Sequence, residues 1–425
     1  MMNRDVFEEY PIDWKRYSYN EVFSTITDYV ANGSFATLKE NVTYKNEKDY
    51  AVVIRVKDYT SNFKKDFIYV DEHAYNFLKK SKLEPNDIII SNVGAIGTVF
   101  KVPDLKQPMT LGPNSILVKT NHHNEFIYQL LKSPLGQKKL LSITSTTAQP
   151  KFNKTDFKSI ICYLPTLSEQ QKIAAILTSV DEAIEKSEQI IEQTETVKKG
   201  LMQQLLTKGI GHQNYKQTLI GDVPEEWEVV KFKDICRIVN GQVDPKKSPY
   251  SEMLHIGNAN IEKFTGRLLA CKSAKEEGQI SGKYLFDENH ILYGKINPHF
   301  GKVAFPKFKG LCSADIYPIE TDKRLLPSFL KYLLMSSRFI SYTTSVSGRT
   351  GIPKVNRTDL DAFLIVVPTL EEQNKIVDII ESVETRINYD EEKLSELYKI
   401  KQGLMQQLLT GKVRVQINED EEVPS

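Results

Sequence analysis

Apolar residues recur alternately four and three positions apart along two stretches of the chain. In the first, Ile173, Leu177, Val180, Ile184, Ser187, Ile191, Thr194, Lys198, Leu201 and Leu205 mark one face, seven of the ten being apolar. In the second, Ile376, Ile380, Val383, Ile387, Asp390, Leu394, Leu397, Lys401, Leu404 and Leu408 repeat the pattern, with eight of ten apolar. Spacing of this kind specifies long helices whose apolar seam suits a coiled coil. Each predicted helix has about 40 residues and a length of about 60 Å. Ser168 and Glu371 stand where caps or first-turn acids belong, and Gly209 and Gly411 supply stops. Elsewhere short apolar runs predict strands: Val52 to Ile54, Ile88 to Ile90, Ser115 to Val118 and Leu364 to Val367. Polar, glycine-containing loops separate them, and helical pieces are expected around 125–141 and 328–341.

The two helices are copies. Pro165 to Ile173 and Pro368 to Ile376 align at an offset of 203, as do Gly200 to Thr207 and Gly403 to Thr410, which are identical. Over 165–207 against 368–410, without a gap, 21 of 43 positions are the same. The offset continues upstream through Pro150-Lys151-Phe152-Asn153 and Pro353-Lys354-Val355-Asn356, and then similarity fades. A repeat of this length organises the whole fold. It implies a mixed α/β domain (1–163), a helix (164–211), a second mixed α/β domain (212–366), a second helix (367–412) and an acidic tail (413–425). The linker 209–223 could span only about 50 Å when extended. It could not return along the whole first helix, so the helices are expected to pair antiparallel, in a pseudo-two-fold arrangement with Ser187 opposite Asp390.

Charge sharpens the division. The net charge is +1, but residues 1–163 hold 22 Lys and Arg against 18 Asp and Glu, and 212–366 hold 22 against 17, while the helical stretches are acidic. Basic segments suit polyanion binding. The four cysteines are scattered without metal-ligand spacing, and no apolar run is long enough to cross a membrane, which points to the cytoplasm.

Repeated helices separating two diverged domains, with the Pro-Thr-Leu-x-Glu-Gln-x-Lys-Ile openings and the Gly-Leu-Met-Gln-Gln-Leu-Leu-Thr closings, resemble the specificity subunits of type I restriction-modification enzymes. The resemblance covers essentially the whole chain. It implies two target-recognition domains, each reading half of a bipartite sequence in double-stranded DNA. It also implies helices that space the readers and dock two methyltransferase subunits, with restriction subunits joining them. It assigns no cofactor to this chain; S-adenosylmethionine, ATP and magnesium belong to the partners. It implies no catalytic residue either.

Short motifs are consistent with that absence. Asn297-Pro298-His299-Phe300 only partly matches the base-holding motif of adenine methyltransferases and lacks a glycine-rich cofactor loop before it. Gly278 to Lys283 falls one residue short of a phosphate-binding loop, Gly94 to Gly97 is too short for a dinucleotide fingerprint, and His122-His123 reads as an exposed pair. Candidate DNA contacts are polar and cationic loop residues. In the first domain they are Asn62, Lys64, Lys65, Asn92, Gln149, Lys151 and Lys154. In the second they are Asn258, Asn260, Lys295, Asn297, His299, Arg349, Lys354 and Arg357. The shared Pro-Lys-x-Asn core is assigned to phosphates or loop structure, and Gln149 and Arg349 to bases. Two rival readings stay open at this level: a self-sufficient methyltransferase using Asn297 to Phe300, and a coiled-coil adaptor that binds protein at both ends.

Overall fold

The computed structural model describes residues 10–145, 149–348 and 351–417. It divides into two compact units, one formed by Met1–Glu188 with Lys393–Ser425 and the other by Gln189–Glu392.

The first unit holds two four-stranded sheets. One is antiparallel, in the order Phe23–Asp28, Ser115–Thr120, Ile88–Ser91, Val99–Lys101. The other runs Ile68–Val70, Ala51–Ile54, Met109–Leu111, Lys82–Leu83, with its two central strands parallel. Every residue of Ala51–Ile54 and Ile88–Ser91 is buried. Burial on both faces explains why these strands read as continuous apolar runs rather than as alternations. A two-stranded ribbon pairs Lys15–Ser18 with Ile161–Leu164.

The second unit repeats this topology strand for strand. Its antiparallel sheet runs Cys236–Ile238, Ile316–Thr321, Ile291–Gly294, Val303–Ala304. Its other sheet runs Lys272–Ser273, Leu254–Ile256, Gly310–Cys312, Tyr284–Phe286, again with a parallel central pair. Its ribbon joins Glu228–Lys231 to Leu364–Val367. This unit also holds the hairpin Tyr215–Thr218 with Gly221–Pro224. The expected strands are all present.

Each expected helix before the Pro-Lys-x-Asn segment is in fact two: Asn124–Lys132 with Pro134–Ser142, and Pro327–Met335 with Ser337–Ser347. A serine makes each break. Ser133 Oγ accepts from the Gly136 N–H at 3.0 Å, and Ser336 Oγ from the Phe339 N–H at 3.3 Å. These side chains cap the second helix of each pair, and Pro134 adds a residue suited to a first turn.

The long helices span Leu167–Lys208 and Leu370–Leu408. In the first unit, Ile173, Ala174 and Leu177 share a core with Met405, Leu408 and Leu409. In the second, Ile376, Val377 and Ile380 share one with Met202, Leu205 and Leu206. The start of one helix therefore packs beside the end of the other within each unit, an antiparallel arrangement that cross-helix polar contacts also mark. Asp181 pairs with Lys401 and Glu188 accepts from Tyr398 in the first unit, while Glu384 pairs with Lys198 in the second. None of the twenty seam positions is exposed. The two polar mid-seam residues bond within their own helices: Ser187 Oγ donates to the Ala183 carbonyl at 2.8 Å, and Asp390 accepts from Arg386 Nε at 2.7 Å.

The helix openings correct one expectation. The caps are Thr166 and Thr369, whose hydroxyls accept from the Glu169 and Glu372 N–H groups at 3.3 Å, rather than Ser168. The buried Gln170 and Gln373 then turn back to donate to the Pro165 and Pro368 carbonyls, both at 2.9 Å. Their other ends accept from the His123 and Leu326 N–H groups. The repeated Pro-Thr-Leu-x-Glu-Gln is thus a joint that ties each helix to the domain before it.

Candidate nucleic-acid interface

In each unit the strand Ile88–Ser91, or its counterpart Ile291–Gly294, runs out into a short segment against which the Pro-Lys-x-Asn peptide lies. The Phe152 N–H donates to the Asn92 carbonyl at 3.2 Å and the Gly94 N–H to the Pro150 carbonyl at 3.4 Å. In the second unit the Val355 N–H donates to the Lys295 carbonyl at 3.0 Å and the Asn297 N–H to the Pro353 carbonyl at 2.9 Å. All four pairs keep the offset of 203. Phe152 and Val355 are buried, and Asn153 and Asn356 cap short helices. The lysine is exposed in each segment. The other three positions of each segment hold the loop, which leaves Lys151 and Lys354 to meet a ligand.

The clamp also accounts for Asn297. Its counterpart is Gly94, and both have positive φ, 51° and 78°. Asn is among the residues that tolerate this left-handed conformation, so it suits a turn that leads into the 3-10 segment Pro298–Phe300. His299 is exposed there, and Lys263 lies 3.7 Å from the ring centre of Phe300.

Around the clamp the two units differ. In the first, a cleft of about 650 Å³ is lined by Asp28, Asn92, Lys151 and Lys154 among others. Lys154 is paired with Asp28 at 2.9 Å. Asn92 donates through Nδ2 to the Phe152 carbonyl at 3.3 Å, and its Oδ1 is enclosed without a partner. In the second, Lys295 is 8% exposed and donates to the Ala314 carbonyl at 2.5 Å. Its ammonium lies 4.8 Å from the ring centre of Tyr317, and the guanidinium of Arg357 lies 5.3 Å from the same ring centre. Burial pushes the Lys295 pKa down, nearby Lys354 and Arg357 push it further, and Asp315 opposes them. Arg357 is also tied to the chain, donating to the Ile238 and Val239 carbonyls at 3.0 and 2.9 Å.

The remaining candidates separate. Asn258 lies near the second clamp, its enclosed and unpartnered Oδ1 against Gly294, beside Lys295. Asn260 is used internally: Oδ1 accepts from the Gly257 N–H at 2.9 Å and Nδ2 donates to the Ala270 carbonyl at 2.8 Å. Asn62, Lys64 and Lys65 are exposed on a loop of the other sheet, anchored by Phe63 beside Phe100. Gln149 is exposed at the rim of the first clamp. Arg349 and the acidic stretch Glu419 to Glu422 lie outside the described residues. His122 and His123 are half-buried rather than exposed, and burial lowers both pKa values. Lys283 points inward and donates to Ser281, unlike a phosphate-loop lysine. Asp28 and Tyr317 escaped the sequence reading because a strand-end carboxylate and a strand tyrosine carry no motif. Among the described residues, no group of three His, Cys, Asp or Glu could hold a metal ion, and no helix is long and apolar enough to cross a membrane.

Two copies of one module, each with a main-chain clamp that presents an exposed lysine, define a tandem-duplicated binding protein. A model of the type I restriction modification DNA specificity domain matches residues 11–196 and again 224–399, and the chain belongs to this family. It is 30% identical over 325 residues to the type I restriction enzyme MjaVIII specificity subunit of Methanocaldococcus jannaschii, which covers 71% of this chain and 74% of that protein. A putative MjaX specificity subunit of the same organism is 27% identical over 421 residues, 96% and 95% of the two chains. The EcoDI specificity subunit of Escherichia coli is 26% identical over 331 residues, 71% and 72% of the chains. The fold is shared with the S subunit of a type I restriction-modification system from M. genitalium, at a TM-score of 0.55 and 14% identity over 97% of this chain and 99% of that one. A chain from a study of type I R-M complex assembly and conformational transition gives a TM-score of 0.59 at 15% identity, covering 95% and 100%. The protein is therefore a type I specificity subunit, a DNA-recognition component and not itself an enzyme.

Proposed function

We propose that the chain reads an interrupted DNA target in two parts, one with each unit, and holds that DNA for methyltransferase subunits that modify adenines. In this reading two methyltransferase subunits dock on the helical frame, and restriction subunits join to cleave unmodified DNA. S-adenosylmethionine, ATP and magnesium serve those partners. The observation that carries the reading is the pairing of a constant frame with a variable lining. The clamp at 92–94 with 150–152 recurs bond for bond at 295–297 with 353–355, while the side chains beside it differ. A frame of that kind lets two readers approach DNA alike and recognise different bases. Methylation-aware sequencing of the host with and without this gene tests it. An asymmetric two-part adenine motif should disappear with the gene; an unchanged methylation pattern would rule the reading out.

Lys151 and Lys354 are expected to contact phosphates. Replacing either by Ala should weaken target and non-target binding about equally and lower the salt slope by roughly one. A titration across ionic strength measures this, and loss confined to one half-site would make the lysine a base reader instead.

A further inference from the structure

The two clamps are not electrostatic equals. At position 295 the second unit places a lysine where the first, at the same offset, has Asn92. At Tyr317 it places an aromatic ring where the first has Ile116, since Tyr293 pairs with Tyr317 and its counterpart Ile90 pairs with Ile116. Lys295 and Arg357 therefore lie on one buried tyrosine ring, within 4.8 and 5.3 Å of its centre, and exposed Lys354 adjoins Lys295 across the clamp. Arg357 is steadied by main-chain carbonyls at the end of Cys236–Ile238. At the equivalent strand end the first unit offers Asp28, a full carboxylate that neutralises Lys154. Beside the second clamp stand three cations with Asp315 and Asp359 as carboxylates, and beside the first two cations with Asp28 and Asp156.

Like charges gathered on one ring and partly withdrawn from water repel each other, so an anion between them is stabilised more than at a solvated surface. Part of the repulsion is already visible in Lys295, whose pKa is lowered by burial and by its cationic neighbours. We propose that Lys295, with Lys354 and Arg357, forms a phosphate seat beside the second clamp that the first clamp lacks, so that the second reader carries the larger share of the salt-dependent affinity. This rests on the DNA-reading function proposed above. Duplex DNA supplies phosphate at regular intervals and needs no particular sequence to fill such a seat.

The test uses the full chain and a mixed-sequence duplex, with affinity measured from low salt upward and folding followed by thermal melting. Lys295→Met keeps the aliphatic stem on Tyr317 and removes the charge. It should lower the salt slope by about one unit, and Lys295→Arg should leave the slope near that of the unaltered chain. Asp28→Asn keeps the oxygen that caps the Ala31 N–H and frees Lys154, so it should steepen the slope by up to about one unit. A Lys295→Met chain that melts normally with an unaltered slope overturns the seat. Should that variant fail to fold, an unaltered slope in Asp28→Asn overturns the inequality of the two clamps. An unaltered chain that binds no DNA even at low salt overturns the proposed function as well, so the two failures are distinguishable.

Discussion

A half-chain running from the N-terminus through His212 is expected to pair with a second copy of itself and to direct methylation to an interrupted palindrome. The expectation follows from what the first unit borrows. Its core is completed by Met405, Leu408 and Leu409 from the end of the second long helix. At the repeat offset these are Met202, Leu205 and Leu206, within an eight-residue segment that is identical in both helices. A second half-chain therefore supplies the same three side chains to the same pocket. Lys401, which pairs with Asp181, is replaced by Lys198, another lysine. Two contacts are lost. Tyr398, which donates to Glu188, becomes Glu195. The clamp of Arg414 on Asp13 and Glu169 disappears too, although the Ile210 N–H and His212 can approach Glu169 as they approach Glu372 in the second unit. The Tyr398 and Asp13 contacts lie at the surface and matter little, while the buried Glu169 keeps donors in Ile210 and His212, and the buried apolar row is retained. Light scattering against concentration and methylation-aware sequencing of cells expressing only the half-chain and its methyltransferase would measure the result. A persistent monomer, or continued methylation of the asymmetric target, would show that the halves are not interchangeable.

Removing Glu384 should destabilise the second unit far more than removing its counterpart Asp181 destabilises the first. Glu384 bonds Lys198 at 2.6 Å, Lys331 at 3.2 Å and the Tyr332 hydroxyl at 2.9 Å, and all three charged side chains are less than a fifth exposed. Glu384→Ala leaves two nearly buried ammonium groups without a counter-charge, a loss of about 3–5 kcal/mol. For a unit of this size that corresponds to a fall in Tm on the order of 10 °C. Asp181, at 34% exposure, leaves one ammonium, Lys401, rather than two without a counter-charge, so its removal should cost less. Acid adds a second signature. Burial pushes the Glu384 carboxyl up, but Lys331 and Lys198, with the Tyr332 hydroxyl, outweigh it and hold the group below its ordinary value of 4.5. A carboxyl lowered by folding stabilises fully above its unfolded value and loses that contribution as pH falls through the folded one. The unaltered second unit should weaken below about pH 4.5, and Glu384→Gln should remove that part of the acid dependence. Equal melting shifts for Glu384→Ala and Asp181→Ala would contradict the argument.

The helices were legible because a seam of fixed period leaves its mark on every turn, and all twenty positions are buried or half-buried as the pattern requires. The pattern did not reveal Met202, Leu206, Met405 and Leu409, which are buried off the seam. A four-three repeat describes contact with one partner, and where a domain core also packs on the helix the buried arc widens. The continuous runs around Val52 and Ile89 marked buried strands, but pairing order is a long-range property that local composition does not encode. Residue type alone suggested Asn260 as a surface contact, whereas a local turn ties its side chain to main-chain partners. Ser133 and Ser336 show the same limit at smaller scale, each splitting what periodicity reads as one helix.

Because the first unit takes in Lys393–Ser425 while the second is the unbroken stretch Gln189–Glu392, the order of the domains along the gene is not the order in which they can be finished. A ribosome delivers about 5–20 residues per second. By the time Met405 emerges beside the waiting Ile173 and Leu177, the whole of the second unit has been outside the ribosome, or close to it, for longer than a small domain needs to fold. The reader encoded first therefore waits some tens of seconds with the helix-binding edge of its core open. During synthesis that edge is the part of the molecule most exposed to chaperones, to proteases and to the equivalent helix end of a neighbouring nascent chain.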